Sequence, residues 1–115
     1  MKTKQEKLTG VLELKFNLAE AEVAKYQAQL LSIKTKINKI EERRKMVPED
    51  PGEQLVYERH LSWLDRRTRE LSIEAAQVMV QLSTAKTKLR RQFGQRTAFE
   101  KVLKREAAKA LRSRD

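Results

Sequence analysis

The residues that most often carry enzyme chemistry are nearly missing from this chain of 115 residues. His60 is its single histidine and there is no cysteine, which removes thiolate nucleophiles and histidine-rich metal sites. The sequence has no glycine-rich phosphate loop and no carboxylate pair spaced as in a closed pocket. We therefore predict a protein that is not an enzyme and has no catalytic residues, metal ligands, cofactor or small-molecule substrate. His60 itself we interpret as a solvated helical side chain.

Positive charge is the other chemical signal, and it is concentrated near the C-terminus. The formal net charge is +10, and residues 86–115 contribute +8 of it, with 11 Lys and Arg against three acidic residues. Residues 95–111 place apolar side chains on or near one helical face among these cations. Those side chains are Phe99, Val102, Leu103, Ala107, Ala110 and Leu111.

Four interpretations of this basic segment follow from its chemistry. It suits an anionic membrane surface, nucleic acid or an acidic groove in a protein, and it also suits a solvated tail that aids solubility. Nucleic acid is disfavoured, because the chain has no recognised DNA-binding motif and its aromatic content of 5% offers few stacking platforms.

The elements that must position these residues are long helices. Apolar residues recur at alternating spacings of four and three along two stretches, which is typical of coiled-coil helices. We call these positions the seam. On the first stretch they are Leu12, Phe16, Ala19, Val23, Tyr26, Leu30, Ile33, Ile37 and Ile40, and on the second Tyr57, Leu61, Leu64, Thr68, Leu71, Ala75, Val78, Leu82, Ala85 and Leu89. The apolar series ends at Gln92 and Arg96.

Residues 47–53 interrupt the helical pattern. Pro48 ends the first helix near Met46, because proline disfavours helix at the residue before it. Asp50 then caps a second helix that has Pro51 at its first position. The sequence therefore predicts one hairpin over residues 1–115, with helix 1 over residues 4–46, a turn over 47–50 and helix 2 over 51–110.

The predicted fold class is all-α, with two long helices in an antiparallel coiled-coil hairpin. A tight turn pairs Ile40 with Leu61 and Phe16 with Ala85 along the seam. Helix 2 is then the longer helix, and residues beyond about 100 form a C-terminal overhang without a partner in the chain.

Several apolar residues lie off the predicted seam. Trp63 near the hairpin tip is either an interface residue or packed under a neighbour one turn away. The others predict self-association, contact with a protein partner, or a tilted register that buries some of them. They are Leu14, Leu18, Ile73 and Val80.

The hydropathy pattern predicts a cytoplasmic protein. No run of residues approaches the roughly 18 apolar residues of a membrane span, and the N-terminal residues are too polar for a signal peptide. Contact with a membrane would therefore be peripheral, at its inner face.

The whole chain resembles a known family in its architecture, through one stretch near each terminus. The two stretches are the leucine-rich LTGVLELK at residues 8–15 and the charged FEKVLKRE at residues 99–106. In a small, basic, cysteine-free hairpin, these stretches resemble the FliJ family of flagellar and type III secretion proteins. The resemblance implies a stalk similar to the γ subunit of rotary ATP synthase. In such a stalk, the end of the hairpin that carries both the N- and C-termini inserts into a hexameric export ATPase. The hairpin also communicates with the export gate protein and escorts secretion chaperones.

The resemblance also implies which residues make these contacts. Contacts with the ATPase fall on Arg90, Arg91, Arg96, Phe99, Lys101, Lys104 and Arg105. Contacts at the tip, with the gate protein, fall on Tyr57, His60 and Trp63.

Our leading hypothesis is a non-enzymatic stalk or adaptor that engages and regulates an export ATPase. Two alternatives from other classes are a basic coiled coil that binds anionic membrane or nucleic acid, and a self-assembling structural coiled coil.

Overall fold

Two α-helices account for nearly all of the chain. The computed structural model describes residues 3–113, with α1 at Lys4–Arg44 and α2 at Pro51–Arg112. No strand occurs in that part of the chain. The predicted all-α helical hairpin is thus confirmed, and α2, with 62 residues, is longer than α1, with 41.

Local capping explains where both helices begin. The Thr3 hydroxyl accepts a hydrogen bond from the Glu6 N–H at 3.1 Å, and a carboxylate oxygen of Asp50 accepts one from the Gly52 N–H at 3.0 Å. Each bond satisfies a backbone donor that the first helical turn leaves without a partner. The predicted Asp50 cap is therefore formed, and Thr3 caps the start of α1 in the same way.

The helix ends differ from the prediction by a few residues. Helix α1 ends at Arg44 rather than Met46, with residues 45–50 forming a non-helical loop before Pro51. Helix α2 continues to Arg112 rather than residue 110. The earlier end of α1 is consistent with Pro48, which pushes the chain before it away from helical geometry.

The chain divides into two compact units. The loop unit is Lys25–Leu82, and the terminal unit is Met1–Ala24 with Ser83–Asp115. Over the described part of the chain, neither helix carries an apolar stretch long enough to cross a lipid bilayer.

The loop unit has a narrow apolar core between antiparallel segments of α1 and α2. Leu64 and Leu71 are 0% and 1% exposed, respectively, so they form its best-shielded part. The remaining core residues are Ile33, Ile40 and Val78, with Tyr26, Leu30, Ile37, Leu61 and Ala75 packed against them. These are all seam positions.

The terminal unit continues the seam beyond the point at which the sequence pattern ends. Ala19, Val23 and Ala85 are buried, and Leu12, Phe16 and Leu89 are half-buried. On α2 the spacing of three and four then continues through half-buried side chains. These are Gln92, Arg96, Phe99 and Leu103. The apolar series does end after Leu89, but contact between the helices continues, because a glutamine and an arginine occupy the next positions that face the other helix.

The pairing register also differs from the prediction. In the terminal unit the Phe16 ring lies 6.3 Å from the Phe93 ring, measured between centroids, whereas the prediction placed Phe16 beside Ala85. In the loop unit Arg44 forms an ion pair with Asp65, although the prediction paired the nearby Ile40 with Leu61. Both contacts correspond to a displacement of about one heptad, which keeps seam residues facing one another.

The loop between the helices gives the physical reason for this displacement. Its residues 45–50 lie alongside the first turns of α2: Tyr57 donates its hydroxyl hydrogen to the Arg44 carbonyl, and Gln54 Nε2 donates to the Pro48 carbonyl at 3.1 Å. Non-helical chain covers up to about 3.3 Å per residue against 1.5 Å in a helix. The start of α2 therefore extends past the end of α1, and a tight turn at residues 47–50 is not formed.

Candidate partner-binding surfaces

The end of α2 is an exposed helical segment of the terminal unit, as is the start of α1. Leu103 is the last half-buried residue, and it lines a shallow groove with residues near the start of α1. Residues 104–113 are all exposed. We call residues 104–112 the C-terminal overhang. It begins later than the predicted position of about 100, because the register shift moves the start of α1 further along α2.

The overhang combines cations with small apolar side chains. Lys104, Arg105, Lys109 and Arg112 are all exposed, and Glu106 is its single acidic residue. Ala107 and Ala110 follow Leu103 at the seam spacing, and Leu111 is 66% exposed. The overhang thus presents a continuation of the seam face, flanked by positive charge. The sequence-based site omitted Lys109 and Arg112, which the +8 charge of the segment could have indicated.

The predicted ATPase contacts fall into two structural groups. Most of them are exposed cations on α2, whereas Arg96 and Phe99 are half-buried. The exposed cations are Arg90, Arg91, Lys101, Lys104 and Arg105.

Arg96 is held inside the helix pair of the terminal unit. Its guanidinium carbon lies 4.0 Å from the Phe16 ring centroid and 5.7 Å from that of Phe93. One of its terminal nitrogens also forms an ion pair with Glu13 at 3.4 Å, and its side chain is 25% exposed. A guanidinium between two rings and a carboxylate packs the helices together. Arg96 therefore has a structural role here that the sequence prediction missed.

Two buried polar atoms accompany this packing. Gln92 Oε1 and Arg96 Nε have no hydrogen-bond partner within the described chain. A buried polar atom without a partner costs about 1–3 kcal/mol of stability. The seam at Gln92 and Arg96 therefore contributes less to the stability of the helix pair than the apolar part of the seam does.

Exposed cations also surround a groove in the same unit. It has a volume of about 350 Å³ and lies between α1 and α2. Leu18 contributes apolar surface, and Glu22 places a carboxylate among the cations. The remaining lining residues are Lys15, Ala19, Lys88, Arg91 and Gln92.

The three predicted tip contacts lie in the loop unit and differ in accessibility. Tyr57 is half-buried and its hydroxyl bonds to the Arg44 carbonyl, so it closes the end of α1. His60 and Trp63 stack on each other, with centroids 5.7 Å apart and an interplanar angle of 9°. Trp63 remains 51% exposed. Trp63 therefore packs on a neighbour one turn away, as one alternative predicted, and still leaves half of its side chain exposed, so its contact with a partner stays a prediction.

Trp63 borders a second groove, which we call the Trp63 groove. Its volume is about 190 Å³, and Ile40 and Leu71 supply buried apolar surface. Its remaining lining residues are the cations Lys36, Lys39, Arg43 and Arg67. The sequence prediction named Trp63 but none of these cations. The position of the three α1 cations depends on the pairing register, whereas Arg67 lies one turn after Trp63 on α2 and could have been named from its spacing.

The four off-seam apolar residues are exposed in the structure. Leu14, Leu18, Ile73 and Val80 have exposed fractions of 58–68%. The interpretation in which a tilted register buries some of them is therefore wrong, and contact with another chain stays a prediction.

Metal-binding side chains are not clustered in the described part of the chain. Within residues 3–113, no three side chains of His, Cys, Asp or Glu are grouped closely enough to hold a metal ion. In comparisons with protein-family models, curated proteins and solved structures, nothing matches this chain.

Proposed function

We propose that this protein is a non-enzymatic coiled-coil stalk or adaptor of a flagellar or type III protein export apparatus. In this proposal the C-terminal overhang engages and regulates the hexameric export ATPase. Other surfaces of the hairpin, with His60 and Trp63 among them, link the ATPase to the export gate or to secretion chaperones. The protein then acts in the cytoplasm, at the inner face of the membrane.

The observation that supports this proposal most strongly is the exposure of the whole overhang. A helix with a free seam face has apolar surface available for a partner helix or groove. The cations Lys104, Arg105, Lys109 and Arg112 on the same segment favour an acidic partner surface and accelerate its association.

The resemblance to the FliJ family supplies the identity of the partner, and the exposed end of α2 supplies the contact. The assignment of Arg96 changes in consequence. Because Arg96 is engaged with Phe16 and Glu13, we assign the ATPase contact to the overhang and leave Arg96 as a packing residue.

A pull-down with the export ATPase of the same organism tests this proposal. The charge reversals Lys104→Glu and Arg105→Glu, made together, should reduce the retained ATPase about tenfold, because each removes an attraction and adds a repulsion. The matched control reverses Lys34 and Arg69, which are exposed in the loop unit. Equal loss in both double variants would show that only total charge matters, and unchanged retention in the first would exclude the overhang as the contact.

A second candidate function is binding to an anionic membrane surface. Val102 and Leu111 are both exposed near cations at the end of α2, as in helices that lie on lipid headgroups. Vesicles of phosphatidylserine distinguish the two functions: binding that falls steeply with salt and is lost with residues 104–115 would favour the membrane.

A further inference from the structure

The Trp63 groove combines an apolar base with a cationic rim. Ile40 and Leu71, which are 7% and 1% exposed, line it together with Trp63 and give it an apolar base. With a volume of about 190 Å³, the groove is smaller than the roughly 300–1,000 Å³ of pockets for drug-sized ligands. It suits one apolar side chain rather than a whole small molecule.

The cations around the groove are arranged unfavourably for the free protein. Lys36, Lys39 and Arg43 lie three and four residues apart along α1, which places them on one face. Like charges at this spacing destabilise a helix by a few tenths of a kcal/mol. A bound anion between them would remove that repulsion.

Few acidic groups of the protein offset this charge. Arg67, on the α2 side of the groove, forms an ion pair with Glu70 at 3.3 Å. The side chains that line the groove in the described structure include no carboxylate. The groove is therefore complementary to a ligand that brings its own negative charge.

We propose that the Trp63 groove binds an acidic peptide segment of a partner protein. One large apolar side chain of that segment enters the groove beside Trp63, over Ile40 and Leu71. Carboxylates on either side of it pair with Lys36, Lys39 and Arg43. This inference deepens the contact that the proposed function places at Trp63, but it rests on the chemistry of the groove and on a different surface from the overhang, so it does not require that the partner be the export gate or a chaperone.

The groove favours a peptide over single-stranded nucleic acid. Proteins that bind single strands stack successive bases on several aromatic rings. Here Trp63 is the single aromatic residue of the groove, and His60 already stacks against it at 9°. One further apolar side chain is accommodated, but a row of bases is not.

Trp63 is also the only tryptophan in the chain, so its fluorescence reports on the groove directly. The probe is a short fluorescein-labelled peptide of glutamates around one leucine, and its affinity is measured by anisotropy with the full-length protein. We expect its binding to change the Trp63 emission. Exchange of the leucine for serine should weaken binding about tenfold, because the apolar anchor is lost.

Variants separate the groove from the general positive charge of the protein. Lys39→Glu with Arg43→Glu should weaken peptide binding about tenfold or more, whereas the control pair Lys34→Glu with Arg69→Glu should change it less than about twofold. Trp63→Ala, at a half-exposed position, tests the apolar wall without a change of charge, and it should weaken binding about fivefold or more.

Three results would overturn the proposal. The first is equal weakening by the two charge-reversed pairs, and the second is binding of the serine peptide as tight as that of the leucine peptide. The third is tighter binding of a single-stranded oligonucleotide or of phosphatidylserine vesicles than of the leucine peptide at the same salt concentration. Failure of the overhang in the ATPase pull-down would leave these measurements unaffected.

Discussion

The guanidinium group of Arg96 lies over the ring of Phe16, with its carbon 4.0 Å from the ring centroid. This contact joins α1 to α2 in the terminal unit at a position that the sequence pattern assigned to the surface. We expect Arg96→Ala to lower the free energy of unfolding by about 1–2 kcal/mol, because it removes a cation–π contact and buried side-chain methylenes.

Urea unfolding followed by circular dichroism measures this effect. Arg96→Lys should recover only part of the loss, since an ammonium group cannot stack as a planar guanidinium does. The control is Arg91→Ala, at an exposed position on the same helix, with an expected change within about 0.5 kcal/mol. Identical midpoints for Arg96→Ala and Arg91→Ala would show that the Phe16 contact contributes nothing.

The neighbouring Gln92 offers a stabilising substitution. Its side-chain oxygen is buried without a partner at a seam position. Gln92→Leu removes that buried polar atom and continues the apolar seam, so we expect a gain of about 1 kcal/mol in unfolding free energy. Gln95→Leu, at an exposed position nearby, serves as the control. A lower melting temperature for Gln92→Leu would contradict this reading of the site.

Much of the fold followed from the periodicity of apolar residues, but the register did not. Every seam position identified from sequence is buried or half-buried. A shift of one heptad exchanges each seam residue for an equivalent one, so the pattern itself cannot select among registers. The path of residues 45–50 and the meeting of Phe16 with Phe93 select it, and neither is a periodic feature.

The candidate sites, like the fold, were predictable only in part from the sequence. The excess of cations near the C-terminus and the exposed Trp63 are visible in the sequence. Three of the cations that surround Trp63, Lys36, Lys39 and Arg43, come from α1, so their position beside it emerges only when the register is known. The packing role of Arg96 was not predicted, because a charged residue is normally placed at the surface, whereas a long arginine side chain packs well between aromatic rings.

Cross-linking tests the register directly. The chain has no native cysteine, so introduced pairs react without background. Cysteines at Phe16 and Phe93 should be joined rapidly by a short bismaleimide. A pair at Phe16 and Ala85 should react far more slowly, because Ala85 lies about 12 Å further along α2. Faster reaction of the pair at Phe16 and Ala85 would contradict this register and support the one predicted from sequence.

Removal of the overhang should leave the rest of the hairpin intact. Residues 104–113 are exposed, so a chain that ends at Leu103 loses little packing. We expect its unfolding free energy to stay within about 0.5 kcal/mol of that of the full chain. A chain that ends at Gln95 is the contrasting variant, since it lacks Arg96 and Phe99, and it should be clearly less stable. Equal destabilisation by both truncations would mean that the overhang packs against the hairpin.

The most direct test of the proposed function is the ATP hydrolysis rate of the export ATPase, measured against increasing concentrations of this protein. If the overhang regulates the ATPase, the full chain changes the rate, and the Lys104→Glu and Arg105→Glu double variant needs about tenfold more protein for the same effect. The Lys34→Glu and Arg69→Glu control should behave as the unmodified protein does. An unchanged hydrolysis rate with the full chain, or an equal response to the chain that ends at Leu103, would contradict the proposal.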